Sequence, residues 1–541
     1  MPVPSFLRRP PVLIFAVVSL VAILFALYTN HAWEDYYITY RTSKNLATGH
    51  GITFNPGERV HTFTSPLQVL LPAIASLATL NSSDAGALWI FRLMSIAALG
   101  AAAVLFFRGT QRVGLSLLAS VFLVLCLATD AKIVDFTING METPYLLAFF
   151  AYAFWAMFTG GPRRWVHLGV AWGGLMWSRP DACIPIALLT STVWLFNDAA
   201  LTGLNRREWL PVLLRAAGVA TIVYLPWFLF AWAYYGSPVP HTITAKSLLA
   251  GPKSLEGFWL SLLAFTQRIN SPYAAIDSMF APPNMVYGGW PDGPRLAMRT
   301  VAALCAGLWM FRWFHPVTRA LSLTYLGLCV YLNYFPPFPF AWYLTLPAAV
   351  ALLALAGAFS QLLGAARNAA PPRWRRALHV AVVVPMLAFA VTGCWFTWQA
   401  ARQLKAQQAI VENGIRRPIG EWLKANAAAG DTVFLEPLGY IGYFSGLRTY
   451  DYPGLSSPEM VAAIRRHGTK RYAPLIRELN PNWLVLRPSE MADIHKEDPD
   501  LLRNVYAPAK AFDRRRDVAQ LQVHGLGYIE YDAAFMVFKR R

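Results

Sequence analysis

Charge-free apolar runs recur through the first three quarters of this chain, beginning with the run from Pro11 to about Tyr28. A bilayer-crossing helix needs roughly 17 to 25 predominantly apolar residues. Hydrocarbon offers no water to backbone amides and carbonyls, so such runs must bond internally as helices. Further runs lie near 85–107, 113–129, 143–159, 165–178, 181–197, 210–235, 299–314, 318–335, 341–364 and 376–398. The sequence therefore predicts a mainly α, multispan transmembrane core of about 11 spans over residues 1–398. Only 14% of the 541 residues are charged, against about 25% in an ordinary soluble domain, which excludes a soluble multidomain enzyme. The first run follows Arg8 and Arg9 but lacks a small-x-small cleavage site and precedes many more spans, so it reads as an uncleaved helix. Pro66 to Leu80 is apolar but short, as in an interfacial or re-entrant helix.

The net charge of +18 could suggest a nucleic-acid partner. Here the arginines cluster in short loops between apolar runs, where they face anionic headgroups on the cytoplasmic side, and no nucleic acid is expected. With the N-terminus inside, Arg108 with Arg112, Arg163 with Arg164, Arg206 with Arg207, Arg312 with Arg319, and Arg367 through Arg376 all fall in cytoplasmic loops. The opposite loops are then 29–84, 130–142, the turn Ser178-Arg-Pro-Asp181, 236–298 and the tail from 399. The expected location is a bacterial inner membrane, with the tail periplasmic or extracellular. All five cysteines lie inside apolar runs, without the spacing of a thiolate metal site or a disulfide framework.

The tail, 399–541, holds 16 of the 29 acidic residues and reads as a soluble, extracytoplasmic α/β domain. Ile419 to Ala428 is patterned as a helix, while Thr432–Leu435, Trp483–Leu486 and Tyr528–Phe538 are patterned as strands.

Residues 1–398 contain only 13 carboxylates, and an ionisable group near a bilayer must be paired, hydrated or functional. Several fall on the expected outer side: Glu34 and Asp35 after the first span, Glu142 in Asn139-Gly-Met-Glu-Thr-Pro144, and Asp181. An acidic pair at a helix mouth can act as general base toward a hydroxyl, or can simply occupy a first helical turn, which attracts Asp and Glu. Trp33, Tyr36, Tyr37 and Tyr40 flank the pair. Ser178-Arg-Pro-Asp181 has the form of a helix start, with Ser178 as N-cap, Pro180 in the first turn and Asp181 closing a capping box. Lys246 could equally be an interfacial snorkelling lysine.

The stretch Glu34 to Arg41, followed by Asn45 to Asn55 and Thr64 to Leu67, resembles the first outer loop of the polyprenyl-phosphate-sugar-dependent glycosyltransferases of the GT-C superfamily. It is most similar to the mycobacterial terminal β-(1→2) arabinofuranosyltransferase family. Asn139-Gly-Met-Glu-Thr143, Ser178-Arg-Pro-Asp181, Tyr234 to Lys246, and Gly439 to Gly446 with Tyr450 to Gly454 extend the resemblance in order. Two departures stand out. Glu34 replaces the first acid of an Asp-Asp pair, and Phe340-Ala-Trp-Tyr-Leu-Thr-Leu-Pro347 stands where an Arg-Tyr-x-x-Pro stretch is expected.

The resemblance implies transfer of a sugar, a pentose such as arabinofuranose, from a polyprenyl monophosphate to a hydroxyl of an envelope glycan or glycoprotein. Asp35 would be the catalytic base, with Glu34 orienting acceptor or partner. Arg179 and Lys246, with His241 donating a hydrogen bond, would hold the phosphate. Arg41, Tyr40, Glu142 and Asp181 would complete the substrate site. With these cations present neither a metal nor a cofactor is expected. A hexose or aminoarabinose donor, or a lipid-linked-sugar flippase, are the alternatives, although transporters tend to place charged residues near the midplane rather than at helix ends.

Overall fold

The structure is a computed structural model that describes residues 10–249, 254–262, 275–335, 340–368 and 372–541. Among the described residues, five helices are long and apolar enough to cross a membrane: Pro10–Thr29, Asp84–Arg112, Arg206–Tyr235, Ala341–Asn368 and Trp374–Asn426. Two of them start on capping side chains. Ser83 accepts the amide N–H of Gly86, and Glu208 reaches back 2.6 Å to the Asn205 amide.

The expected count of eleven spans is not confirmed: among the described residues, five helices qualify by length and composition, or six if one bent pair is counted. Several apolar runs fold as helices too short to cross alone: Thr143–Phe158 has 16 residues and Cys183–Leu195 has 13, or roughly 20–24 Å at about 1.5 Å per residue against a core of about 30 Å. The run at 113–129 is the bent case. Asp130 accepts the amide N–H groups of Lys132 and Ile133, starting a new helix that departs at 52°. Residues 130–142, expected as a loop, thus hold the helix Ala131–Ile138, which is buried throughout. The apolar segment after Ser65 is the helix Pro66–Ala78, with Ser65 as its N-cap.

The link after the first helix is pinned by a buried guanidinium. Arg92 donates to Asn30 Oδ1 at 2.7 Å, to the His31 carbonyl at 2.5 Å and to the Ile138 carbonyl at 2.7 Å. His31 Nδ1 lies 2.8 Å from Asp135. Together these contacts fix where the next helix, Glu34–Ala47, begins.

The last long helix runs without a break across residue 398 to Asn426, passing through a π-helical stretch, Gln408–Arg416. The tail forms a five-stranded sheet: β1 Thr432–Leu435, β2 Arg448–Asp451, β3 Trp483–Leu486, β4 Tyr506–Asp513 and β5 Ala534–Arg540. Their order is β2-β1-β3-β5-β4, with β1 parallel to β2 and β3, and β5 antiparallel to β3 and β4. The sequence pattern placed β1, β3 and the preceding helix correctly, but the run Tyr528–Phe538 divides into a helix, Leu526–Tyr531, and the strand from Ala534. Asp532, at the break, is buried between Arg416 and Arg487.

The tail meets the helical core through the helix Gly439–Ser445, which packs on Glu34–Ala47. Arg41 donates to the carbonyls of Gly442, Gly446 and Leu447 at 2.6–3.2 Å, and Glu34 accepts the amide N–H of Gly439. A Cβ on Gly439 would lie 1.9 Å from the Glu34 carbonyl oxygen. Gly439→Ala should therefore destabilise the protein by about 1–3 kcal/mol through overpacking, read as a lower thermal-unfolding midpoint of the purified protein. An unchanged midpoint would show that this contact does not hold the tail in place.

Candidate active site

Glu34 and Asp35 occupy the first turn of their helix, where the exposed amides favour negative charge. At about 100° per residue the two carboxylates diverge. Glu34 turns to the tail and Gly439, whereas Asp35 is partly buried and, among the described residues, its carboxylate makes no hydrogen bond. Burial pushes the Asp35 carboxyl above its ordinary value; Lys246 opposes the shift, and Glu142 and Glu436 reinforce it. Glu34 is likewise raised by burial, against the pull of Arg416.

Asp35 lines two cavities. The smaller, about 50 Å³, also reaches Thr39, Glu142, Arg179, Lys246 and Trp342. Arg179 is clamped there: its Nε and Nη2 donate to Asp181 at 2.9 and 3.1 Å, and its Nη1 donates to Glu142 at 2.9 Å. Tyr331 donates to Asp181 at 3.1 Å, and the Arg179 guanidinium sits 4.4 Å over the ring of Tyr343. Three of the five guanidinium N–H groups are thus engaged, leaving two for a ligand. Lys246 makes no ion pair among the described residues, and its ammonium lies 5.3 and 6.0 Å from the ring centres of Phe340 and Trp342.

The capping box expected at Ser178–Asp181 does not form. Ser178 ends the preceding helix and its hydroxyl donates to the Gly174 carbonyl, because Asp181 is drawn to the adjacent guanidinium instead. Glu142, at the N-cap of Thr143–Phe158, makes no capping bond and pairs with Arg179 for the same reason.

The second cavity, about 500 Å³, lies between the helical core and the tail. Beyond Glu34 and Asp35 it is lined by Trp33, Lys132, Arg416, Glu436, Arg487 and Asp532, with Tyr287, Tyr528 and Tyr531 among its aromatic walls. Sequence patterning singled out Trp33 but none of the tail's charged residues. Arg416, Arg487 and Asp532 converge across separations of 45 to 116 residues, and the one local signal is an acidic residue, Asp532, within the otherwise apolar run Tyr528–Phe538. Trp342, from the stretch that departs from the resembled family, lines both cavities.

Three expected site residues face elsewhere. Tyr40 donates to Asp84 at 2.9 Å and stacks 5.1 Å from Tyr36. Arg41 lies on the face that docks the tail, 4.3 Å over Phe54. The ring of His241 lies against the backbone of Gly454 and Ser457, and burial holds its pKa below the usual imidazole value. Helical rotation decides the first two: Thr39, four residues from Asp35, shares its face, whereas positions 40 and 41 do not. Among the described residues no group of three or more His, Cys, Asp or Glu side chains is placed to hold a metal ion.

The architecture has solved counterparts. ArnT from Cupriavidus metallidurans, solved bound to undecaprenyl phosphate, superposes with a TM-score of 0.55 at 13% identity, over 97% of each chain. The archaeal oligosaccharyltransferase AglB from Archaeoglobus fulgidus, solved with an inhibitory peptide and a dolichol-phosphate, gives 0.54 at 13% identity over 94% of this chain and 74% of that one. The chain shares the fold of these two proteins. Within that fold, residues 402–533 match a domain of unknown function, DUF8728. The chain is also similar to the terminal β-(1→2)-arabinofuranosyltransferase of Mycobacterium tuberculosis, 26% identical over 289 residues. That match takes in 48% of this chain and 41% of the relative's length.

The raised Asp35 pKa has a consequence for stability. A carboxyl whose folded pKa exceeds its unfolded one favours folding only when protonated; that contribution is complete below the unfolded pKa and is lost as pH rises through the folded value. Asp35→Asn, uncharged at every pH, should raise the thermal midpoint near pH 8 and leave it little changed near pH 4. A lower midpoint at pH 8 would mean that the ionised carboxylate stabilises the fold.

Proposed function

We propose that this protein is an integral membrane glycosyltransferase that moves a sugar from a polyprenyl monophosphate carrier to a hydroxyl of a cell-envelope glycan or glycoprotein. The observation that carries this reading is the placement of Asp35, an unengaged carboxylate between a small cation-lined cavity and a large one open to a second substrate. Asp35 takes the proton of the acceptor hydroxyl, whose oxygen attacks the anomeric carbon. The bond from that carbon to the phosphate oxygen breaks, and the departing phosphomonoester gains negative charge beside Arg179 and Lys246. Glu142 and Asp181 hold the Arg179 plane so that its remaining N–H groups meet the phosphate.

The carrier's apolar chain has a path next to this point. An apolar groove of about 520 Å³ is lined by Trp172 and Met176, before the turn that bears Arg179, and by Cys183 and Ile186, after it. The solved relatives of this fold bind undecaprenyl phosphate and a dolichol-phosphate. The name of the mycobacterial relative favours a pentose, arabinofuranose, as the sugar. The arginine distribution favours an inner-membrane protein with a cytoplasmic N-terminus and the site and tail on the opposite side.

Purified protein given polyprenyl-phosphate pentose or hexose donors and an envelope glycan acceptor should transfer the sugar, and Asp35→Asn should lower the rate about 10²–10⁴-fold. The acid limb of the unsubstituted protein should lie above the ordinary Asp range, since activity falls as Asp35 is protonated. Full transfer by Asp35→Asn would remove the assignment; transfer only from the hexose donor would correct the sugar.

A further inference from the structure

The smaller cavity beside Asp35 holds more than the two cations. Four threonines, Thr39, Thr62, Thr64 and Thr242, share its lining with Gln68 and Trp342. Most of this neutral hydrogen-bonding capacity is already used. Thr39 donates to the Tyr36 carbonyl at 3.0 Å, the Thr62 hydroxyl lies 3.4 Å from that of Thr42, and Gln68 Nε2 donates to the Gly140 carbonyl at 3.1 Å. Thr64 is only half-buried. Thr242 differs from all of these: it is 5% exposed, and its buried hydroxyl has no hydrogen-bond partner among the described residues. A hydroxyl shut away from water without a partner is costly. Held at a cavity wall, it keeps both its donor and its acceptor capacity for whatever fills the space.

The helix that carries Thr242 accounts for its place. His241–Leu249 starts where the His241 amide donates to the His61 carbonyl at 2.9 Å. Positions four apart on a helix share a face, so Thr242 stands on the face of Lys246, and both line the cavity. His241, one residue earlier, is rotated away by about 100° and meets the tail instead. Four residues of helix rise about 6 Å, a length on the scale of one sugar ring. A phosphate held by Lys246 and Arg179 thus leaves the ring attached to it beside Thr242, with Trp342 as an aromatic wall. An alkyl chain in this position would leave the hydroxyl unpartnered, whereas a sugar satisfies it.

We propose that Thr242 is a specificity-determining residue that hydrogen-bonds one hydroxyl of the sugar carried on the lipid phosphate. The proposal rests on the transferase reading above and deepens it: Arg179 and Lys246 take the phosphate, and Thr242 tells a ring that bears the hydroxyl from one that lacks it. A site built to bond a hydroxyl rejects the analogue without it, because its own polar group then stays unpaired.

The test measures donor binding with no acceptor present, which makes it independent of transfer. Native mass spectrometry of detergent-purified full-length protein compares polyprenyl monophosphate, its pentose and hexose conjugates, and analogues of the tighter conjugate in which fluorine replaces one hydroxyl at a time. One analogue should bind about tenfold more weakly than its parent. Thr242→Val keeps the shape and removes the hydroxyl. It should weaken the parent by about the same factor, bind that analogue no more weakly than the unsubstituted protein does, and leave sugar-free polyprenyl monophosphate unaffected. Thr242→Ser should restore the parent's affinity. The thermal midpoint of unliganded Thr242→Val should hold or rise, since the hydroxyl it removes has no partner to lose. Equal losses for sugar-free and sugar-bearing lipid, or a Thr242→Val protein that still discriminates against the same analogue, would overturn the proposal. Either result in a protein that transfers sugar would remove this contact and leave the transferase reading standing. The expected pattern in a protein that transfers no sugar would uphold the contact while removing that reading.

Discussion

The site depends on one contact, the seating of Gly439 against Glu34. Because residue 439 has no side chain, the helix Gly439–Ser445 comes close enough for its first amide to reach the Glu34 carboxylate. Arg41 then ties the same helix down through three carbonyls. With the tail held there, Glu436, Arg487, Tyr528 and Asp532 close one side of a cavity whose other side is Trp33 and Asp35. The adjacent acids thus divide the work: one joins two parts of the fold, and the other is left facing the space between them.

The electrostatics follow the same division. On the tail side, Asp532 lies between two guanidiniums and is held below the usual carboxylate range, although burial opposes this. Such a buried ion cluster is costly to break once formed, and it leaves Arg416 and Arg487 engaged with carboxylates. On the other side, Arg179 is held by two carboxylates but retains unused donors, and Lys246 stands over aromatic rings. One wall fixes charge in place, the other offers it to a ligand.

The residues expected at the site from sequence sort by helical geometry. Asp35, Glu142, Arg179 and Lys246 line the smaller cavity beside Trp342 and Tyr343, with Asp181 holding Arg179 there, although they come from four separate stretches of chain. Tyr40 and Arg41 share a motif with Asp35 but face away, because a motif written along a helix places neighbouring residues on different faces. The Ser178 turn shows a different limit. Its letters fit a capping box, yet a guanidinium next to the carboxylate is the stronger partner.

By itself the sequence determined the solvent of the chain and the positions of its scarce charges. Apolar runs without polar relief must be helices in lipid, and a carboxylate retained at a helix mouth is conspicuous where only 13 occur in 398 residues. It also determined three of the tail's elements, since alternation and helical spacing are short-range signals. The tertiary structure alone decided the number of helices long enough to span, the bend at Asp130, the split of 528–538, and the meeting of Arg416, Arg487 and Asp532. Those depend on partners tens to hundreds of residues away, and pairing energies across such distances leave no periodic trace in the chain.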